Sequence, residues 1–385
     1  MFRFLTAGES HGPCLTAVID GVPAGLAIDV LGINNDLARR QQGYGRGGRM
    51  KIEKDKVEIL SGVRFGQTIG SPLTLAIRNR DWDNWQDRMS VEGEPVGPLV
   101  TSPRPGHADL PGVLKYERQD VRDILERASA RETAARVAVG AVAKQLLATA
   151  GIAVVSHVVN IGGVSIGSEF KCSAIELADK VAASDLGCAD SAAEVKMREA
   201  IDKAKENGDT LGGIFEVIVT GVMPGLGTHV QWDRRLDTKL SGALMSIQAI
   251  KGVEIGNGFG FAALPGSLAH DEIFFDLERG YYRGSNRAGG IEGGISNGED
   301  IVIRAVMKPI PTLMVPLASV DIVTKTATKA NTERSDACAV TAAAVVGEAM
   351  ASIVLADAIL EKFGGDTTLD LVQAVESYRA RLGAR

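Results

Sequence analysis

The chain has 385 residues, 45% hydrophobic and 23% charged, with a formal net charge of −6. That balance excludes a mostly disordered chain, and the length supports a large core without disulfides or metals. The acidity argues against a general nucleic-acid coat, although a local basic pocket stays open.

The 45 glycines and the 5% of aromatic residues point to tight turns and close backbone approaches, without the triplet period of collagen. Met1–Leu5 is too short an apolar start for a signal peptide, and Glu9 follows soon after. Short strands are predicted at Leu15–Ile19, Val57–Leu60, Pro72–Ile77, Ile152–Ile161, Phe215–Thr220 and Ile301–Val306, most of them flanked by Gly or Pro. Asp36–Gln42 reads as helix. Residues 117–150 read as one long helix that begins charged and becomes apolar on nearly every side, and 336–363 behave the same way, stopping at Gly364–Gly365. Residues 191–207 form a charged amphipathic pattern, a surface helix. Two all-round apolar helices need cover on both sides, which sheets outside a helical centre provide. The expectation is therefore an α+β fold, with buried central helices sandwiched between antiparallel sheets.

Glycine-dense loops separate these elements, and no Pro- or Ser-rich linker interrupts 1–385, so one interlocked domain is expected. A weak echo between GGIFEVIVTGVMPG (212–225) and GGISNGEDIVIRAVMKPIP (293–311) suggests an internal pseudo-duplication. No apolar run reaches the roughly 18–20 residues of a membrane span, because Arg136 and Glu348 interrupt Ala134–Ala143 and Ala337–Ala356 or their flanks. Cys14, Cys172, Cys188 and Cys338 have no metal or redox spacing, which fits a reducing, cytoplasmic compartment and predicts no metal site.

Gly8-Glu9-Ser10-His11-Gly12 matches the nucleophile elbow G-x-S-x-G, but that motif needs a helix after it, and a strand pattern follows here. Two of the five histidines sit in tight Gly/Pro loops, His11 in this motif and His107 in Arg104-Pro105-Gly106-His107-Ala108-Asp109. Loop histidines on a rigid scaffold suit acid–base work, and the bland alternative is a satisfied turn histidine. Gly43-Tyr44-Gly45-Arg46-Gly47-Gly48 fits G-x-G-x-x-G formally, but it follows a helix and precedes a strand, against a dinucleotide fold. Its charges say more. Residues 36–54 hold Arg39, Arg40, Arg46, Arg49, Lys51 and Lys54 against Asp36 and Glu53, which suits an anion clamp or else a solvated basic face. Arg127 and Arg131 are four apart, on one face of the expected helix, and need neutralising by Glu126 and Glu132 or by a bound anion.

Nine segments in order resemble the chorismate synthase family: GESHG (8–12), GYGRGGRM (43–50), RPGHADL (104–110), RASARETAARVA (127–138), GDTLGG (208–213), ALMSIQAIKGVEIGNGF (243–259), SNRAGGIEGGISNGEDI (285–301), MKPIPT (307–312) and RSD (334–336). The resemblance implies a lyase that converts 5-enolpyruvylshikimate 3-phosphate to chorismate by 1,4-anti elimination of phosphate. It implies a requirement for reduced FMN and assembly as a homotetramer. NADPH is the reductant in members that reduce their own flavin, and a separate flavin reductase serves the others. By the same resemblance, His11 with Ser10 faces the leaving phosphate, Asp336 works with flavin N5, His107 stabilises the reduced flavin, and Ser129 supports them. Arg40, Arg46, Arg49, Arg104 and Arg131 match anion-binding positions, with Arg40 and Arg46 also candidates for a pyridine nucleotide. Arg127, Ala128, Ser129, Gln248, Ala249, Gly293, Lys308, Pro309, Ile310, Pro311, Thr312 and Arg334 match flavin contacts. A flavin reductase, or a non-enzymatic anion-binding protein, are the other classes that the residues alone leave open.

Overall fold

A computed structural model describes residues 1–47, 53–167, 170, 172–277, 279–333 and 335–383. Two antiparallel sheets enclose a helical centre. The first holds β1 (Arg3–Ala7), β2 (Cys14–Asp20), β3 (Val57–Ser61) and β4 (Leu73–Arg78) in the order β1-β2-β4-β3. The second holds β5 (Ala153–Ile161), β6 (Val164–Ser165), β7 (Gly213–Thr220), β8 (Ile250–Ile255) and β9 (Ile301–Met307) in the order β8-β9-β7-β5-β6. Alternation decides which face is inward. Leu15, Ala17 and Ile19 of β2 and Leu73, Leu75 and Ile77 of β4 are buried on one side, as are Phe215, Val217 and Val219 of β7 and Ile301, Ile303 and Ala305 of β9 on the other.

Between the sheets lie α4 (Thr133–Thr149), against β2 and β4, and α8 (Val340–Phe363), against β5 and β7. The two helices pack directly on each other, and α1 (Val30–Gln41) leans on both. Small residues set this contact. A Cβ on Gly140 would lie 2.3 Å from Ala349 Cβ, and one on Gly347 would lie 2.4 Å from the Phe215 ring. Such close packing explains why both helices are apolar all round, as the sequence pattern predicts. Among the described residues α8 is the one helix long and apolar enough to cross a membrane, and 89% of its most apolar window is buried inside the protein.

Its one buried carboxylate, Glu348, is held by Arg39 at 2.9 Å, by the Ser156 hydroxyl at 2.9 Å and by Lys144. Burial alone would raise this carboxyl, but the Lys144 and Arg39 charges outweigh it and hold it below the usual range.

Other helices among the described residues include α2 (Asp109–Tyr116), α3 (Arg122–Ala128), α5 (Ala174–Ala183), α6 (Ser191–Glu206), α7 (Leu236–Met245) and α9 (Thr368–Gly383). All six predicted strands are present within a residue or two of their expected ends. β1, β6, β8, α2, α5, α7 and α9 lie outside the elements that the sequence pattern predicts. The single helix expected over 117–150 is instead α3, a 3-10 turn over Ala130–Glu132, and α4. The break is at Ser129, whose extended backbone (φ −61°, ψ 140°) leaves the helix while its hydroxyl caps the Arg131 N–H. The two echoed segments supply β7 and β9, which pair antiparallel with Phe215 opposite Ala305.

Candidate active site

A cleft of about 440 Å³ opens over the N-terminal half of α8, where Ala339, Ala342, Ala343 and Val346 form an apolar floor. Its volume is within the roughly 300–1,000 Å³ common for ligand sites. Ser10, His11, Arg40, Arg46, Arg104, His107, Ala128, Ser129, Arg131, Gln248, Ala249, Lys308, Ile310, Pro311, Thr312 and Asp336 all line it, so residues from seven sequence regions meet in one place.

His11 belongs to the turn between β1 and β2. Gly8 makes that turn possible, with φ +106° and a would-be Cβ only 2.4 Å from the Cys14 carbonyl oxygen. A strand precedes and a strand follows, so the motif is a hairpin loop and not a nucleophile elbow. The His11 Nδ1 lies 2.9 Å from Glu126 Oε1, and the His11 backbone N–H donates to Glu126 Oε2 at 2.8 Å. Trp85 stacks on the imidazole at 3.9 Å between ring centroids. Burial pushes the Glu126 carboxyl upward, but its hydrogen bonds to His11 and the Arg122 charge bring it below the usual range.

His107 has a parallel arrangement. Its Nδ1 lies 2.5 Å from Asp109 Oδ1, and Asp109 also takes the Arg104 Nε–H at 2.8 Å. Asp109 is fully buried, and His107 and Arg104 hold its carboxyl well below the usual range against the opposing effect of burial. Arg104 reaches on to the Thr312 hydroxyl at 2.9 Å.

The arginines form a crowded group. Arg131 donates to both Asp55 oxygens at 2.6 and 2.7 Å and to Asn79, while Arg40 meets Asp55 at 3.1 Å. Burial first, and the neighbouring Arg131 and Arg46 charges with it, lower Arg40 to about 10 despite Asp55. The Arg40 Nε–H is buried without a hydrogen-bond partner among the described residues. Cation crowding and an orphan donor on one side chain mark a place built for an additional anion.

Asp336 does not cap α8, which begins at Val340 with Ala339 as its N-cap residue. Its carboxylate instead accepts the Gly47 N–H at 2.6 Å and pairs with Arg46 at 3.1 Å.

At the opposite wall the Gln248 amide donates to Glu132 at 2.7 Å, which leaves its buried Oε1 without a partner among the described residues. Ala249 beside it adopts φ +66°, a strained conformation of the kind that collects at functional sites. Lys308 donates to the Gly106 carbonyl, and partial burial with Lys251 nearby lowers its ammonium.

Several expected residues lie elsewhere. The broken helix turns Arg127 away from Arg131, and its guanidinium donates to the Gly8 and Thr6 carbonyls at 3.0 and 2.9 Å. Neutralisation of Arg131 therefore comes from Asp55 at 2.6 Å and Glu53 at 3.6 Å, not from Glu126 or Glu132. Gly293 occupies an exposed turn outside the cleft, at φ +58°, between Ile291–Glu292 and Ile295–Ser296. Pro309 does not line the cleft, and Arg49 and Arg334 lie outside the described residues.

The family model for chorismate synthase matches residues 2–360. Chorismate synthase from Geobacter sulfurreducens is 60% identical over 388 residues, covering 98% of each chain. That from Desulforamulus reducens is 60% identical over 369 residues, covering 95% of each. A crystal structure of chorismate synthase superimposes with a TM-score of 0.82 at 46% identity, over 100% of this chain and 99% of that one. The chain belongs to the chorismate synthase family. It is a carbon–oxygen lyase of the shikimate route to aromatic amino acids, forming chorismate by eliminating phosphate from 5-enolpyruvylshikimate 3-phosphate.

The substrate of a chorismate synthase carries a phosphate and two carboxylates, groups that guanidiniums bind well. Sequence reasoning missed the carboxylates that orient the cleft. Asp55, Asp109 and Glu126 are each within hydrogen-bond reach of a cleft arginine or histidine. Asp109 carried a signal, two residues after His107 in the same loop. Glu126 and Trp85 carried none, because they meet His11 across 115 and 74 positions of sequence.

Proposed function

We propose that the elimination runs in the His11–His107 cleft, with the arginines holding the substrate and the opposite wall holding reduced FMN. Support comes from the buried Arg40 Nε–H, which has no partner among the described residues, beside the Arg46 and Arg131 guanidiniums; an anionic group of the substrate would satisfy it. Arg40, Arg46, Arg104 and Arg131 bind and orient the substrate anions, and Arg49 belongs with them by resemblance.

The residues fit a flavin. Gln248 offers an acceptor without a partner among the described residues, suited to a ring N–H; Ala339, Ala342, Ala343 and Val346 give an apolar floor, and Lys308 offers a cation. Ala128, Ser129, Gln248, Ala249, Lys308 and the Ile310–Thr312 segment would hold it, with His107 stabilising its reduced form. Bound reduced FMN supplies electron density to the breaking C–O bond and a means of removing the C6 proton.

His11, with Ser10 beside it, donates a proton toward the departing phosphate, since its engaged nitrogen is Nδ1 and Nε2 is the one left to serve the substrate. Asp336 would hold a proton at its carboxylate beside Arg46, and Ser129 would support it. Arg127 braces the β1–β2 turn from behind.

The chain acts in the cytoplasm as a homotetramer. Four unpaired cysteines support the first, and the exposed apolar side chains Phe274, Phe275 and Leu277, close together in sequence, support the second. Anaerobic incubation with substrate and photoreduced FMN, followed by chorismate absorbance, tests the reading. Absence of product in the folded, flavin-loaded protein overturns it. Substrate-free NADPH oxidation under the same conditions separates a member that reduces its own flavin from one that depends on another reductase.

A further inference from the structure

Resting on the reading that His11 serves the departing phosphate, we infer that Glu126 is a positioning residue that keeps the His11 ring protonated at Nδ1 and turns Nε2 toward the substrate. Nε2 then carries the proton that is transferred.

Residue 126 grips the turn at three points. Its carbonyl accepts the Ser10 N–H at 3.0 Å, its Oε2 accepts the His11 N–H at 2.8 Å, and its Oε1 faces His11 Nδ1 at 2.9 Å. The carboxylate is 3% exposed and the imidazole 12%, so water screens their attraction little. One edge of the ring is fixed by this carboxylate and one face by Trp85, whose indole N–H is held by Asp81 at 3.1 Å. The orientation follows from donor and acceptor chemistry. A carboxylate only accepts, so the nitrogen facing it must carry hydrogen, as in other histidine–carboxylate pairs.

Glu126 is itself held in place. Arg122 meets it at 2.8 Å and reaches Glu333 at 3.4 Å. Arg122 also lies over the Trp85 ring at 4.9 Å, and Arg88 at 5.9 Å.

The proton balance is simple. The C–O electron pair goes to the phosphate oxygen, which takes the Nε2 proton. The ring is left neutral with Nδ1–H on Glu126, and solvent restores the second proton.

The test is Glu126→Gln, which keeps the shape and one acceptor for the backbone N–H but turns an NH₂ toward the ring. With the folded protein, ¹⁵N spectra of the neutral His11 ring are expected to show Nδ1–H in the wild type and Nε2–H in the variant. The alkaline limb of kcat is expected to move about one pH unit lower, with KM for substrate within about threefold and activity returning toward wild type in acid. A purely structural Glu126 would show a loss that acid does not rescue. Arg122→Gln leaves the His11–Glu126 contact in place and should move the limb the opposite way, which keeps the inference testable if Glu126→Gln does not fold. An unchanged tautomer in folded Glu126→Gln, or an unchanged limb in either folded variant, with His11→Ala still slowed by on the order of 10²–10⁴, overturns the role of Glu126 alone. A fully active His11→Ala overturns the leaving-group reading itself.

Discussion

The carboxylate of Asp336 closes on the guanidinium of Arg46 at 3.1 Å and takes the Gly47 N–H at 2.6 Å, so it ties the 43–47 loop to the entrance of α8. A cap would have tolerated Asn. A carboxylate that receives a proton and steadies an arginine would not, because an amide is no base.

Asp336→Asn is therefore expected to retain FMN binding but to lower phosphate release by on the order of 10²–10³ in rapid-mixing experiments. Loss of the ion pair should cost about 1–3 kcal/mol of stability in urea, in contrast with the near-zero change that an isosteric cap would give. Normal turnover would remove Asp336 from the chemistry.

His11→Ala and His107→Ala are each expected to lower kcat by on the order of 10²–10⁴. Both side chains reach the cleft through a carboxylate on Nδ1, so each loss also strands a buried acid, Glu126 or Asp109. Near wild-type rates in both variants would sink the assignment.

Asp55→Ala leaves Arg40 and Arg131 with their main neutralising partner gone, and an uncompensated buried charge costs about 3–5 kcal/mol. Inorganic phosphate should raise the melting temperature of this variant more than that of the wild type, because an anion binding only the folded state stabilises it. Equal shifts would argue that the arginines do not face an anion site. By the same logic Arg46→Ala should raise KM for substrate, and the deficit should narrow at high salt.

Acid should weaken the helical centre through Glu348. A carboxyl whose folded-state pKa lies below its ordinary value of 4.5 stabilises the fold above that pH and loses the contribution as pH falls below it. Urea midpoints at pH 5.5 and 3.5 should therefore differ more for the wild type than for Glu348→Gln. The Gln variant should also be the less stable of the two at pH 5.5, since it leaves Arg39 and Lys144 short of a partner.

Periodicity and residue type determined the scaffold. Ala134–Ala143 and Val340–Leu360 are apolar on every side, and that alone requires cover from two layers, whatever their connectivity. The six predicted strands alternate or run apolar as their burial demands, and the motif residues carried the family likeness in their order along the chain. Tertiary structure alone decided the partners. Ser129 breaks a pattern that reads as continuous helix and sends Arg127 and Arg131 in different directions. Asp336 turns to Arg46 across 290 positions, and Glu126 meets His11 across 115. Helix and strand signals are local, because neighbours a few residues apart share one face. The choice of carboxylate for each buried cation depends on which loops the packed sheets and helices bring together, and no spacing in the chain records that.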